Sequence, residues 1–95
     1  MSTVLTGADL NQAVQNLPGW KLNGSAIERV FEFPNFVDAM GFVNRIAEAA
    51  EAVNHHPDIT INYNKVKLSL TSHDAGGVTQ RDLRMAGKIN EMSAG

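Results

Sequence analysis

Ile59-Thr60-Ile61-Asn62-Tyr63-Asn64-Lys65-Val66-Lys67-Leu68-Ser69-Leu70-Thr71 is the stretch whose reading decides the fold. Ile59, Ile61 and Tyr63 alternate with Thr60 and Asn62, and Val66, Leu68 and Leu70 alternate with Lys67, Ser69 and Thr71. That is the period of two of half-buried strands. A tight turn at Asn64-Lys65 joins the two runs, and a strand pair joined so closely is antiparallel.

Upstream, Trp20 to Leu22 and Ile27 to Phe33 flank Asn23-Gly24-Ser25, where Asn-Gly is a strong turn signal. This predicts a first hairpin, with Ile27, Arg29, Phe31 and Phe33 on one face. Between the hairpins, Asn35 and Asp38 form a cap signature ahead of a long helical pattern from Phe36 to about Asn54. Phe36, Met40, Val43, Ala47 and Ala50 make one apolar stripe, widened by Val37, Ala39, Phe42, Ile46, Ala49 and Val53. So broad a surface fits either a deeply buried helix or one that meets another subunit.

The ends of the chain complete the order. Thr6 with Asp9 predicts a capped first helix carrying Leu10, Val14 and Leu17 and stopped by Pro18-Gly19. Thr79 with Asp82 predicts a third, carrying Leu83, Ala86, Ile89 and Met92. The order α-β-β-α-β-β-α excludes a doubly wound parallel sheet. It predicts an α+β fold, a four-stranded antiparallel sheet with three helices packed on one face. At 95 residues and 43% hydrophobic, residues 1–95 form a single domain with a modest core, and sharing apolar surface with further copies would stabilise it.

Eight Lys+Arg against ten Asp+Glu give a net charge of −2, which disfavours direct nucleic-acid binding. No cysteine is present, so disulfides, thiol catalysis and thiolate metal sites are excluded. Nothing approaches a membrane span, and Met1 to Leu10 has neither the basic start nor the apolar run of a signal peptide. The expectation is a cytoplasmic protein with no membrane association.

All three histidines, His55, His56 and His73, fall between the middle helix and the last. Imidazole, with an unperturbed pKa of about 6.5, gives and takes protons near neutrality. Glu51 lies four residues before His55, so the two side chains can meet on one helix face, either orienting the imidazole or forming a solvated helix-end pair. Pro57 disfavours helix at His56 and ends the element there. The strand from Ile59 runs away and the next returns about as far, bringing His73 back near His55 and His56.

Three imidazoles suggest zinc, but HExxH and long-range carboxylate patterns are missing, so no metal site is expected. Ser72-His73-Asp74 has the residue types of a triad, but consecutive residues seldom reach its geometry. Gly76-Gly77 lacks the context of a phosphate loop. Asp82 reads as a helix-start residue rather than a catalyst.

Taken together, Glu51-xxx-His55-His56-Pro57, five residues, Tyr63, nine residues, His73, eight residues, Asp82 resembles the pterin-4a-carbinolamine dehydratases. Asn64-Lys65-Val66, Thr71-Ser72-His73, Arg81-Asp82 and Gly19-Trp20 support the resemblance over nearly the whole length. It implies the same α-β-β-α-β-β-α fold and removal of water from a 4a-hydroxytetrahydropterin, giving a quinonoid dihydropterin for recycling. The pterin is then a substrate and no cofactor is required.

By this resemblance the catalytic histidines fall on His55, His56 and His73, and Glu51, Asn54, Thr71, Ser72 and Asp74 fall in the substrate-binding segments. A homodimer or homotetramer is implied. Familiar animal members differ at Ile59, where they carry tryptophan, and at Asn54, where they carry aspartate. Some also act as dimerisation cofactors for a transcription factor, so the competing function is a non-catalytic module that binds a helical partner.

Overall fold

The computed structural model describes residues 3–94. Met1 and Ser2, which open the N-terminal stretch read above, and Gly95 lie outside the described residues. In chain order the elements are α1 (Gly7–Gln15), β1 (Lys21–Asn23), β2 (Ala26–Glu32), α2 (Phe36–Val53), β3 (Asp58–Asn62), β4 (Lys65–Leu70) and α3 (Gln80–Ala94). The sheet is antiparallel throughout, in the order β1-β2-β4-β3.

The first hairpin turn falls within the expected Asn23-Gly24-Ser25, and the second sits one residue earlier than the sequence suggested. Asn23 pairs with Ala26, leaving Gly24-Ser25 as the loop, and Asn62 pairs with Lys65, leaving Tyr63-Asn64. Gly24 (φ 61) and Tyr63 (φ 55) take the positive φ that a two-residue hairpin loop needs at its first position. Tyrosine rarely adopts it, and its strand propensity and alternation point to the strand rather than to this turn. Asn64 fixes the actual register: its side-chain amide donates to the Phe33 carbonyl (2.8 Å), and its own carbonyl accepts from Phe33 N–H (2.9 Å).

Ile27 and Phe31 on β2 pair with Leu70 and Val66 on β4, and all four are buried on the same face. The helices cover this face. Ala39, Phe42, Ile46, Ala49 and Ala50 of α2 and Met85, Ala86 and Ile89 of α3 close the core. Phe42 is fully buried with its ring 4.9 Å from Phe31 and 5.0 Å from Phe33, so truncating it would cost about 3–5 kcal/mol. The opposite sheet face, with Glu28, Val30, Lys65 and Lys67, is left half-buried or exposed.

The three cap signatures divide. Asn35 accepts from Asp38 N–H at 2.8 Å and starts α2 as expected. At α3, Asp82 accepts from Thr79 N–H at 2.9 Å while Thr79 Oγ1 accepts from Arg81 N–H at 3.3 Å. Thr6, in contrast, makes no side-chain cap bond, because Gly7 enters α1 with φ 56 and takes the first turn out of capping geometry.

Near the other end of α3, Asn90 Oδ1 accepts from Trp20 Nε1 (2.8 Å) and Arg29 Nη1 (2.6 Å), tying that helix to the first hairpin. The Arg29 guanidinium passes beneath Gly19 (φ 84), where an added Cβ would lie 2.4 Å from Nε. Only glycine fits both that backbone and that approach.

Candidate active site

The site is built where α2 stops. Asn54 takes the left-handed conformation (φ 51, ψ 45), its N–H donating to the Glu51 carbonyl (3.4 Å) while His55 N–H donates to the Ala50 carbonyl (3.1 Å). This paired closure lets asparagine replace glycine at a helix end. It also swings His55 and His56 off the helix path before Pro57 holds the chain extended.

That swing overturns the expected Glu51–His55 pair. Four-residue spacing brings side chains together only while the helix continues. Beyond Asn54, Glu51 Oε2 instead accepts from His56 Nε2 at 2.5 Å, an exposed pair with side chains 78% and 51% accessible. His55 turns inward.

His55 Nε2 lies 2.5 Å from Asp82 Oδ1, with the His55 side chain 11% accessible and Asp82 fully buried. A carboxylate only accepts, so Nε2 donates to Asp82, and Nδ1 is the ring nitrogen on the other side of that pair. The other Asp82 oxygen accepts from Ser72 Oγ (2.9 Å) and Thr79 N–H (2.9 Å), and the Ser72 and Thr79 hydroxyls meet at 2.8 Å. Asp82 is therefore the helix-start residue that the sequence suggested. It is also the group that orients His55, a role the sequence reading missed.

The loop after β4 brings the third imidazole. Ser72 N–H donates to the Gly77 carbonyl (2.9 Å), and the Ser72 carbonyl accepts from Ala75, Gly76 and Gly77, which folds residues 72–77 tightly. His73 projects from this loop. It lines one open cleft of about 370 Å³ with Asn54, His55, His56, Thr71, Ser72, Asp74 and Arg81. Both hydroxyls of the Thr71-Ser72 pair donate within the protein, Thr71 to the Ser25 carbonyl (2.6 Å) and Ser72 to Asp82.

Asp74 accepts from Arg81 Nη2 at 2.7 Å, and this hydrogen bond first, with the guanidinium charge after it, holds its carboxyl below the ordinary carboxylate value. Arg81 Nε is buried without a hydrogen-bond partner. A second cavity of about 450 Å³ adjoins the cleft, sharing His55 and Arg81 and adding Val53, Arg84, Met85 and Lys88. The sequence reading did not reach Arg84 and Lys88, although their spacing from Arg81, three and seven residues along a helix, was a visible signal.

Among the described residues, no group of three His, Cys, Asp or Glu side chains is arranged to hold a metal ion. What the cleft offers is proton transfer: one imidazole braced by a buried carboxylate, one paired with an exposed carboxylate and one exposed on a loop. This is an α+β domain with a histidine-lined cleft between a helix end and a strand-to-helix loop.

Comparison with known proteins agrees. Residues 3–92 match the family model described as pterin 4 alpha carbinolamine dehydratase. A protein of Koribacter versatilis provisionally named a pterin-4-alpha-carbinolamine dehydratase is 58% identical over 92 residues, covering 97% of this chain and 98% of the relative. One from Thermomicrobium roseum, with the same provisional name, is 50% identical over 90 residues, covering 95% and 97%.

The crystal structure of a transcriptional coactivator/pterin dehydratase from Brucella melitensis superimposes with a TM-score of 0.91 at 39% identity, over 96% of this chain and 99% of that one. A pterin dehydratase-like RuBisCO assembly factor shares the fold at 16% identity, with a TM-score of 0.64 over 78% of this chain and 86% of that one. The chain belongs to the pterin 4 alpha carbinolamine dehydratase family.

Proposed function

We propose that the protein removes water from a 4a-hydroxytetrahydropterin by histidine acid/base catalysis, in the recycling of a tetrahydrobiopterin-type cofactor. The observation that carries this reading is His55, braced at Nε2 by buried Asp82, in one cleft with His56 and His73. Elimination needs a proton delivered to the departing C4a hydroxyl and another taken from N5.

In this reading the free Nδ1 of His55 takes the N5 proton, and Asp82 stabilises the imidazolium formed. His73 protonates the hydroxyl, which leaves as water while the N5 electron pair forms the new N5=C4a double bond. His56, held by Glu51, positions the ring and assists proton exchange that returns both histidines to their starting states. The backbone of Thr71 meets the flat pterin edge, since its hydroxyl donates to the Ser25 carbonyl, while Ser72 shapes the loop that carries His73.

The test is to generate the 4a-hydroxytetrahydropterin freshly and follow its absorbance with and without the protein. Faster decay to the quinonoid dihydropterin, in proportion to protein, is the expected result. Unchanged decay would favour the interaction-module reading, in which the histidines only bind pterin or have no role.

The same reading includes self-association in the cytoplasm. Two surfaces support it. All of β3 is exposed at the sheet edge, and Asp58-Ile59-Thr60-Ile61-Asn62 is self-complementary about Thr60: an antiparallel second copy would pair Ile59 with Ile61 and Asp58 with Asn62. On α2, Phe36, Met40, Val43 and Ala47 form a stripe left half-buried or exposed beside the residues that enter the core. Use of one surface gives a dimer, and use of both gives a tetramer. Among the described residues, no helix is long and apolar enough to cross a membrane.

A further inference from the structure

The cavity beside the histidine cleft has a charge pattern that the dehydration chemistry does not use. Arg81, Arg84 and Lys88 line it from one face of α3, Val53 and Met85 supply apolar wall, and among the described residues no acidic one lines it. Like charges three and four residues apart repel, and Arg81 and Arg84 stand near the helix end where the backbone dipole is already positive. A chain of net charge −2 has thus gathered cations where its own helix disfavours them. Only Arg81 has an acidic partner, Asp74; among the described residues, neither Arg84 nor Lys88 has a carboxylate within 4.0 Å. A bound anion would relieve both the mutual repulsion and the dipole.

We propose that this cavity takes an anionic group, a phosphate monoester or a carboxylate, carried on the side chain of the pterin whose ring lies in the histidine cleft. The inference rests on the pterin reading above and names the substrate class within it. His55 and Arg81 belong to both cavities, so a ring stacked at His55 has its substituent within reach of the cationic face. Val53 and Met85 pack against the carbon chain between ring and anion, and Arg84 and Lys88 discriminate charged from neutral tails.

The test is equilibrium binding, read from pterin fluorescence, of three stable oxidised pterins with a neutral dihydroxypropyl tail, a phosphate-ester tail and a carboxylate tail. Oxidised pterins do not turn over, so the measurement is independent of dehydration. At least one anionic pterin should bind about tenfold or more tighter than the neutral one, the value of one charge-assisted hydrogen-bond set. Added salt should weaken this preference. Preference for one tail names the phosphate or the carboxylate as the source, and equal preference for both means that charge alone is read.

The R84Q/K88Q variant should lose the preference, and the single R84Q and K88Q variants should each lose part of it. Arg45→Gln, which changes an exposed arginine outside the cavity, should keep it. Equal binding of all three pterins by the wild-type protein, or an unchanged preference in R84Q/K88Q, overturns this inference and leaves the dehydratase reading standing. Failure to bind any pterin overturns both.

Discussion

His55 and Asp82, 27 residues apart in sequence, meet at 2.5 Å inside the protein, and the same carboxylate accepts from Ser72 and from the backbone that starts α3. One buried group thus links the end of α2, the loop after β4 and the start of α3. The geometry of the cleft and the start of α3 share this one side chain.

Asp82→Ala leaves the Ser72 hydroxyl and the Thr79 N–H without their acceptor in a buried setting, and should lower stability by about 3 kcal/mol. Asp82→Asn keeps the shape but removes the charge that holds the Nε2 proton and stabilises the imidazolium. It should lower kcat by more than KM changes and shift the pH–rate profile, whereas a merely structural role would lower the amount of active enzyme with an unaltered profile. Thermal unfolding and the pH dependence of kcat separate the two roles.

Asn54 tests whether the left-handed closure of α2 positions the histidines. Asn54→Gly keeps access to φ 51, so stability and turnover should stay close to wild type. Asn54→Val does not, and should lose about 1–2 kcal/mol. Its His55 and His56 amide resonances should also move, since their placement depends on that turn.

Asp74 gives a sign for pH. Its carboxyl is held below its ordinary value of 3.8, first by the Arg81 hydrogen bond, so folding favours the ionised form. The contribution is present above the unfolded value and is lost as pH falls through the lowered folded value. Between about pH 5 and 9 the Asp74–Arg81 pair is fully formed, so any limb of the activity profile in that window belongs to other groups. Asp74→Asn should therefore leave the number of limbs in a kcat/KM titration unchanged.

Self-association through β3 predicts that Ile61→Lys, a charge placed on an exposed edge strand, shifts the protein toward monomer in sedimentation velocity. Val43→Lys tests the α2 stripe in the same way. If neither substitution changes the sedimentation coefficient, these surfaces do not hold copies together.

Much of the architecture was legible because it is local. Alternation in Ile59 to Thr71, the Asn-Gly turn and the Asn35–Asp38 cap depend on neighbours in sequence, and each marks a real element. The errors lie where a residue acts through distant partners or rare backbone angles. Tyr63 alternates as a strand residue does, but its positive φ puts it in a turn that Asn64 anchors to Phe33, 31 residues away. Helical spacing matches Glu51 with His55, but that spacing ends at left-handed Asn54, and Glu51 meets His56. Asp82 showed its capping role, which spans three residues, but not its contact with His55, which only the folded chain brings about. The cationic face of α3 was present in the spacing but meaningless until a cavity formed beside it.

The central claim is most directly tested by measuring dehydration of a freshly generated 4a-hydroxytetrahydropterin by His55→Ala and His73→Ala, each checked for wild-type folding by circular dichroism. A positioned acid or base contributes about 10²–10⁴ in rate, so each variant should lose turnover by about that factor while remaining folded. Wild-type dehydration by folded His55→Ala would contradict the account.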